Sequence, residues 1–246
     1  MRPKKIIFLD LDKTLIGDDY SPEPAMEVIK SLLRAGFEVV LNSSKTFSEQ
    51  EYYRRAWGLK GPFIVENGSG VFIPEGYFPF RVDGRRIAGY QVIELGERYE
   101  RIKKALEDIA EEYGLKYYGN STLEEVMAFT GLPKELAKLA MDRMYSETIF
   151  RWEREGFHEK LLGKGLRVSR GSRFVNVTGD TDKGKAAKLL LDLYSKLYPV
   201  ESYAVGDGEN DFPLFEVVGH AFIVGGLTHP KAKRIRGIEE VLEVIE

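Results

Sequence analysis

The sequence of 246 residues contains no cysteine. That absence removes disulfides, thiolate metal sites and a thiolate nucleophile together. Histidine is nearly as scarce: His158, His220 and His229 are scattered along the chain and offer no obvious metal cluster. A serine hydrolase would need one of them as its base, and no G-x-S-x-G elbow occurs. No apolar run nears the roughly 18–20 residues that cross a bilayer. The first apolar run, Ile6 to Leu9, is cut off by Asp10, whereas an export signal needs about 7–15 such residues. Neither sign of charge dominates, with 36 basic against 39 acidic side chains and a formal net charge of −3. That balance argues against a broad basic face for nucleic acid. What remains for chemistry is carboxylates, hydroxyls and lysines. With 43% apolar residues the chain can bury a sizeable core, which excludes intrinsic disorder. A charged fraction of 30% with few Gln or Asn leans toward a heat-adapted, cytoplasmic protein.

Strand-like and helix-like segments alternate, which predicts an α/β protein with a Rossmann-like, largely parallel sheet. Lys5 to Leu9 and Phe37 to Leu41 read as buried strands, and Phe63 to Val65 as a third. Met26, Ile29, Leu32 and Leu33 recur at helical spacing over residues 24–35, and Gly36 supplies a stop. A second helix is expected over 48–57. Near the far end, strands at 203–205 and 221–224 flank a short helix over 211–218. The middle differs in texture. Residues 87–95 are mixed, as in a sheet with one open face, and 97–113 form an amphipathic helix. Ser121 and Glu124 have capping-box spacing. A helix over 133–144 and strands at 148–152, 166–168 and 174–177 complete the reading. The expected organisation is a discontinuous core, residues 1–82 and 180–246, with an α+β module inserted over 83–179.

The first chemical candidate is Asp10-Leu11-Asp12-Lys13-Thr14, directly after the first strand. Alternation lets Asp10 and Asp12 project to one side, and two close carboxylates repel unless a proton or cation sits between them. Mg²⁺ suits such a pair because it prefers oxygen ligands. The same residues could also be a strand end entering a turn. A calcium loop is excluded, because it would want Gly and Glu where Leu15 and Ser21 stand. The second candidate is Gly206-Asp207-Gly208-Glu209-Asn210-Asp211, either two acids converging on a cation or a solvated acidic turn. Asp10, Ser43, Asn67 and Asp207 all fall at the carboxyl ends of expected core strands, the edge where open α/β sheets bind ligands. Delivery of four polar residues to one edge points to one site. Gly179-x₄-Gly184-Lys185 mimics a phosphate-binding P-loop, but Ala186 stands where Ser or Thr must hold the metal. Lys183, opening a helix over 183–197, could instead offer its ammonium to a phosphate, or remain a solvated surface lysine.

In this order and in these strand contexts, the four blocks resemble the motifs of haloacid dehalogenase-like phosphatases, and the 83–179 insert resembles that family's larger α+β cap, type IIB. The resemblance implies that Asp10 is the nucleophile and forms an aspartyl-phosphate. It makes Asp12 the general acid and then base. Mg²⁺ would be held by Asp10, the Asp12 backbone carbonyl and Asp207, with Asp211 orienting the metal site. Ser43 and Lys183 would hold phosphate oxygens with Asn210 nearby, and the Thr14 hydroxyl would brace the Asp12 loop. One departure stands out: Lys13 occupies a position that is commonly Gly, and a positive φ there would cost about 1 kcal/mol.

Three shorter stretches, Asn42-Ser43-Ser44-Lys45-Thr46, Glu66-Asn67-Gly68 and Gly171-x-Arg173-Phe174, resemble one branch of the family, acting on a glycosylated phosphoglycerate. They add Ser44 and Asn67 as substrate contacts. Such a substrate carries a carboxylate beside its phosphate. The loop Ser169-Arg170-Gly171-Ser172-Arg173 has the basic, hydroxyl-bearing character to meet it, or is a hairpin turn with solvated arginines. Arg170, Gly171, Ser172 and Arg173 are therefore expected at the substrate, with Arg151 and Glu147 as lesser candidates. The implied activity is a Mg²⁺-dependent phosphomonoesterase for a small phosphorylated sugar or glycerate, with no nucleic-acid or membrane partner. A phosphosugar mutase with the same cap type, and a non-catalytic nucleotide-binding module on Gly179–Lys185, remain as alternatives.

Overall fold

The computed structural model describes residues 2–170 and 174–245. Strand β1 (Lys4–Leu9) runs into four consecutive buried residues, the mark of a parallel strand covered on both faces. Helix α1 (Glu23–Arg34) buries the single stripe Ala25, Val28, Ile29 and Leu32. Strand β2 (Glu38–Leu41) follows, then α2 (Phe47–Trp57), which opens on a capping box formed by Thr46 and Glu49. Next come β3 (Phe63–Val65), β4 (Gly70–Pro74), β5 (Arg85–Ile87), β6 (Tyr90–Glu94) and α3 (Tyr99–Tyr113). The short β7 (Lys116–Tyr117) leads to α4 (Leu123–Thr130), α5 (Lys134–Met141) and β8 (Ser146–Arg151). After α6 (Phe157–Gly163), β9 (Arg167–Arg170) and β10 (Val175–Thr178) come α7 (Lys183–Ser195), β11 (Val200–Gly206) and α8 (Phe212–Phe215). Strands β12 (His220–Val224) and β13 (Ala232–Ile235) and helix α9 (Glu240–Ile245) close the chain.

Three sheets result. The first is parallel throughout, in the order β13-β12-β11-β1-β2. Alternation along its strands divides the apolar side chains between two faces. Ile7, Leu9, Val39 and Val205 join α1, α2 and α9 on one side, while Ile6, Phe8, Val40 and Ala204 join α7 and α8 on the other. This is the expected Rossmann-like layering. The second sheet, β3-β4-β6-β5, is antiparallel, and a bridge between Asn42 and Ile64 ties it to the end of β2. The third, β7-β8-β10-β9, is also antiparallel. Its Ile149, Val175 and Val177 pack with α3 and α6, and Phe150 packs with α4 and α5. Among the described residues, no helix is long and apolar enough to cross a membrane.

Three local departures have physical causes. Residues 87–95 are not one strand but the turn and second strand of a hairpin over residues 85–94, because Ala88 and Gly89 both take positive φ, 48° and 84°, as a two-residue primed turn requires. The capping box lies one residue late, at Thr122 and Glu125, because a short turn over Tyr118–Asn120 draws in the Ser121 amide. Helix α5 stops at Met141, short of residue 144, because the amides of Met144 and Tyr145 donate instead to the carboxylate of Glu66.

Candidate active site

Adjacent parallel strands end together, and that alone brings the acidic motifs to one edge. β11, β1 and β2 are neighbours, so Asp207, Asp10 and Ser43 emerge side by side. The Asp10 amide donates to the Val205 carbonyl at 3.0 Å, anchoring the start of the loop to β11. Helix α7 presents Lys183 at its first turn beneath them, with Asp182 as cap. The Asn42 side chain donates to the Lys183 carbonyl at 3.1 Å and so ties the end of β2 to this helix start. Gly206 must lack a side chain, since a Cβ there would fall 2.3 Å from Asp211 Cγ.

The centre is a buried charge cluster. Lys183 Nζ lies 2.9 Å from Asp10 Oδ1 and 2.7 Å from Asp211 Oδ1, with no exposure at all. The other Asp211 oxygen accepts the amides of Asp207 and Gly208 at 3.1 and 3.0 Å. Carboxylate oxygens of Asp10, Asp207 and Asp211 all lie within 4.8 Å of one another. Burial raises the Asp10 pKa despite Lys183, and Asp211 adds to the rise. Asp207 is pushed up to about 7 by burial and by its neighbours Asp10 and Asp211. Burial opposes the Lys183 charge, but Asp10 and Asp211 overcome it and raise its pKa. Three carboxylates thus share one ammonium. That excess of hard oxygen donors and negative charge fits a divalent cation.

Asp12 stands apart from the cluster. Its side chain is 42% exposed, and its Oδ1 lies 3.1 Å from Lys45 Nζ, which is also 3.2 Å from Glu49 Oε1. The loop between is tight: the Leu11 carbonyl accepts the amides of Thr14, Leu15 and Ile16. Lys13 does take the expected strained conformation, with φ 60°. The Thr14 hydroxyl is buried without a hydrogen-bond partner among the described residues, so the bracing expected of it falls to the Leu11 carbonyl.

A cleft with about 180 Å³ of free space opens over this edge. Asp10, Asp12, Ser44, Lys45, Asp207 and Asn210 line it from the parallel sheet, and Tyr118, Arg143, Thr148 and Asn176 from the antiparallel region beyond residue 100. Ser43 is fully buried, and its hydroxyl accepts the Lys45 amide at 3.4 Å. Asn210 Nδ2 donates to Asn67 Oδ1 at 3.1 Å. Asn67, Lys183 and Asn210 border a second cavity, whose far wall includes Arg167 and the exposed Arg170. Gly171, Ser172 and Arg173 lie outside the described residues. Arg151 is exposed at the end of β8. Glu147 is fully buried and accepts the Tyr118, Gly119 and Thr148 amides and the Tyr99 hydroxyl. It clamps a turn.

The P-loop-like segment has another use. A Cβ on Gly184 would fall 2.2 Å from the Pro213 carbonyl, so this glycine allows close packing against α8. Lys185 is exposed and pairs with Asp180 at 3.0 Å. Sequence reasoning missed Lys45 and Arg143, and it passed over Glu66 as a neighbour of Asn67. Glu66 accepts two amides and, at 2.6 Å, the Ser146 hydroxyl. No local signal marks Arg143, whose setting comes from distant segments.

The chain matches the sequence profile of the haloacid dehalogenase-like hydrolases over residues 7–78 and 154–234. It is 58% identical to the mannosyl-3-phosphoglycerate phosphatase of Pyrococcus furiosus, covering 98% of this chain and 99% of the relative. It is 37% identical to the glucosyl-3-phosphoglycerate/mannosyl-3-phosphoglycerate phosphatase of Methanococcoides burtonii, over 90% of this chain and 85% of the other. A solved sugar phosphatase of subclass IIB in the same superfamily shares the fold, with TM-score 0.68, 18% identity and coverage of 97% and 95%.

Proposed function

The chain belongs to the haloacid dehalogenase-like hydrolase family, and from that premise we propose that it removes the phosphate from mannosyl-3-phosphoglycerate. The observation that carries the chemistry is the setting of Asp10: buried, held on Lys183, beside Asp207 and Asp211, with Asp12 two residues away. An Asp10 oxygen attacks phosphorus as the bond to the substrate oxygen breaks, leaving an aspartyl-phosphate and splitting the hydrolysis into two easier steps. Asp12 is placed to pass a proton to the departing alkoxide. It then takes a proton from the water that attacks the aspartyl-phosphate, which releases inorganic phosphate and restores Asp10.

The ion we infer is Mg²⁺, held by Asp10, Asp207 and the Asp12 carbonyl, with Asp211 steadying the Asp207 loop through the two amides it accepts. When bound, it supplies a Lewis acid that offsets carboxylate–phosphate repulsion. Ser43, Lys183 and Asn210 hold the phosphoryl oxygens in this reading, and Ser44 contacts the substrate from the cleft wall. Asn67 supports that set through its contact with Asn210. Residues 83–179 serve as a cap that reaches the cleft through Tyr118, Thr148 and Asn176, and the enzyme works in the cytoplasm on small phosphorylated ligands. Purified protein with Mg²⁺ should release inorganic phosphate from mannosyl-3-phosphoglycerate, and Asp10→Asn should release none. Full turnover by that variant overturns the nucleophile, and phosphate transferred between hydroxyls without release would mark a mutase.

A further inference from the structure

Arg143 lines the catalytic cleft, yet no step above uses it. It is only 9% exposed. Its three hydrogen bonds go to uncharged acceptors: Nε to the Ser146 carbonyl at 3.0 Å, Nη1 to the Ala140 carbonyl at 3.2 Å and Nη2 to Ser146 Oγ at 2.8 Å. A guanidinium has five N–H groups, so one remains on each terminal nitrogen. The group also lies over the Tyr118 ring, with Cζ 4.9 Å from the centroid.

Its charge is handled differently from that of the other buried cations. Lys183 has Asp10 and Asp211 within ion-pair distance, Lys45 has Asp12 and Glu49, and Arg54 has Glu51. Among the described residues, no carboxylate lies within 4.0 Å of Arg143. Glu66 and Glu147 act on it from farther away, and both already accept several hydrogen bonds. These carboxylates, with Glu49, outweigh burial and keep the guanidinium charged, so Arg143 lines the cleft as a cation with two unspent donors. An anion carried into the cleft by a ligand would complete the arrangement.

We propose that Arg143 is the specificity residue that receives the second anionic group of the substrate, the glycerate carboxylate. This rests on the substrate reading above. The carboxylate is separated from the phosphate-ester oxygen by only a few bonds, so a substrate placed on Asp10 and Asp12 must carry it into the same cleft. The two remaining N–H groups match the two oxygens of a carboxylate, and a planar fork grips such a group better than an ammonium does.

The test compares mannosyl-3-phosphoglycerate with its carbinol counterpart, in which the carboxylate is reduced to a hydroxymethyl group. Arg143→Met and Arg143→Lys should lower kcat/KM for the carboxylate substrate about 100-fold, mainly through KM. The carbinol compound should lose at least tenfold less, so the ratio of the two kcat/KM values falls. An equal loss on both compounds would mean that Arg143 only holds the turn from Ala140 to Ser146, and it overturns the proposal. So does an unchanged preference, or a preference lost in Arg173→Met and kept in Arg143→Met. Should Arg143→Met fail to fold, Arg143→Lys decides by the same ratio. A wild-type enzyme inactive on mannosyl-3-phosphoglycerate but active on another phosphate ester overturns the substrate reading itself.

Discussion

Lys183 Nζ sits 2.7 Å from Asp211 Oδ1, and both side chains are fully buried. The pair links the start of α7 to the loop that carries Asp207. Removing the ammonium leaves Asp10 and Asp211 facing each other without compensation, a change worth about 3–5 kcal/mol for a buried pair. Lys183→Met should therefore lose activity and also lower unfolding stability by about 3 kcal/mol in metal-free protein. Urea denaturation measures this, and a near-wild-type midpoint would count against the burial argument.

Asp207 gives the site a proton-linked response. Its folded pKa of about 7 is raised from the ordinary 3.8, so between these values the native state holds more proton than the unfolded chain. Stability of the metal-free protein should thus fall as pH rises through that window. A cation must displace the proton, so Mg²⁺ affinity should climb with pH up to about 7 and then level off. Thermal melts with and without Mg²⁺ across the window check both statements. A metal effect independent of pH would contradict them.

Asp12 is the separable member of the site, being partly exposed and outside the three-carboxylate cluster. Asp12→Asn should melt close to the wild type yet lose about 10²–10⁴-fold in turnover of alkyl phosphates, the usual range for a general acid–base. Aryl phosphates, whose leaving groups need less protonation, should suffer less. Comparing the two substrate types by steady-state kinetics tells these effects apart.

Glu66 tests the joint between the two halves of the cleft. Its carboxylate accepts the amides of Met144 and Tyr145 and the Ser146 hydroxyl. Glu66→Ala strands these buried donors and should cost about 3 kcal/mol. It should also raise KM, because the 143–146 segment forms part of the cleft through Arg143. Glu66→Gln, which keeps one acceptor oxygen, should fall between the two in both measurements.

The sequence by itself determined the layered parallel sheet and the arrival of Asp10 and Asp207 at one edge, whereas the place of Asp211 in the cluster and of Asp12 outside it came from the structure. Both follow from local rules: continuous apolar runs make buried strands, and residues just past parallel strands share one edge. The positive φ of Lys13 was suggested only by the resemblance, in which that position is commonly Gly. The hairpin at Ala88-Gly89 was not, because alanine seldom takes a positive φ. Complete burial of Lys183 was equally hidden, since its chemistry alone suggests a solvated side chain as readily as an ion-paired one. Only the tertiary structure decided the surroundings of Arg143 and the grip of Glu66 on Met144, Tyr145 and Ser146, partners 78, 79 and 80 residues away. Periodicity and capping act over a few residues. Which carboxylate meets which distant amide, and which guanidinium is left without a direct counter-ion, depends on the surfaces that folding brings together.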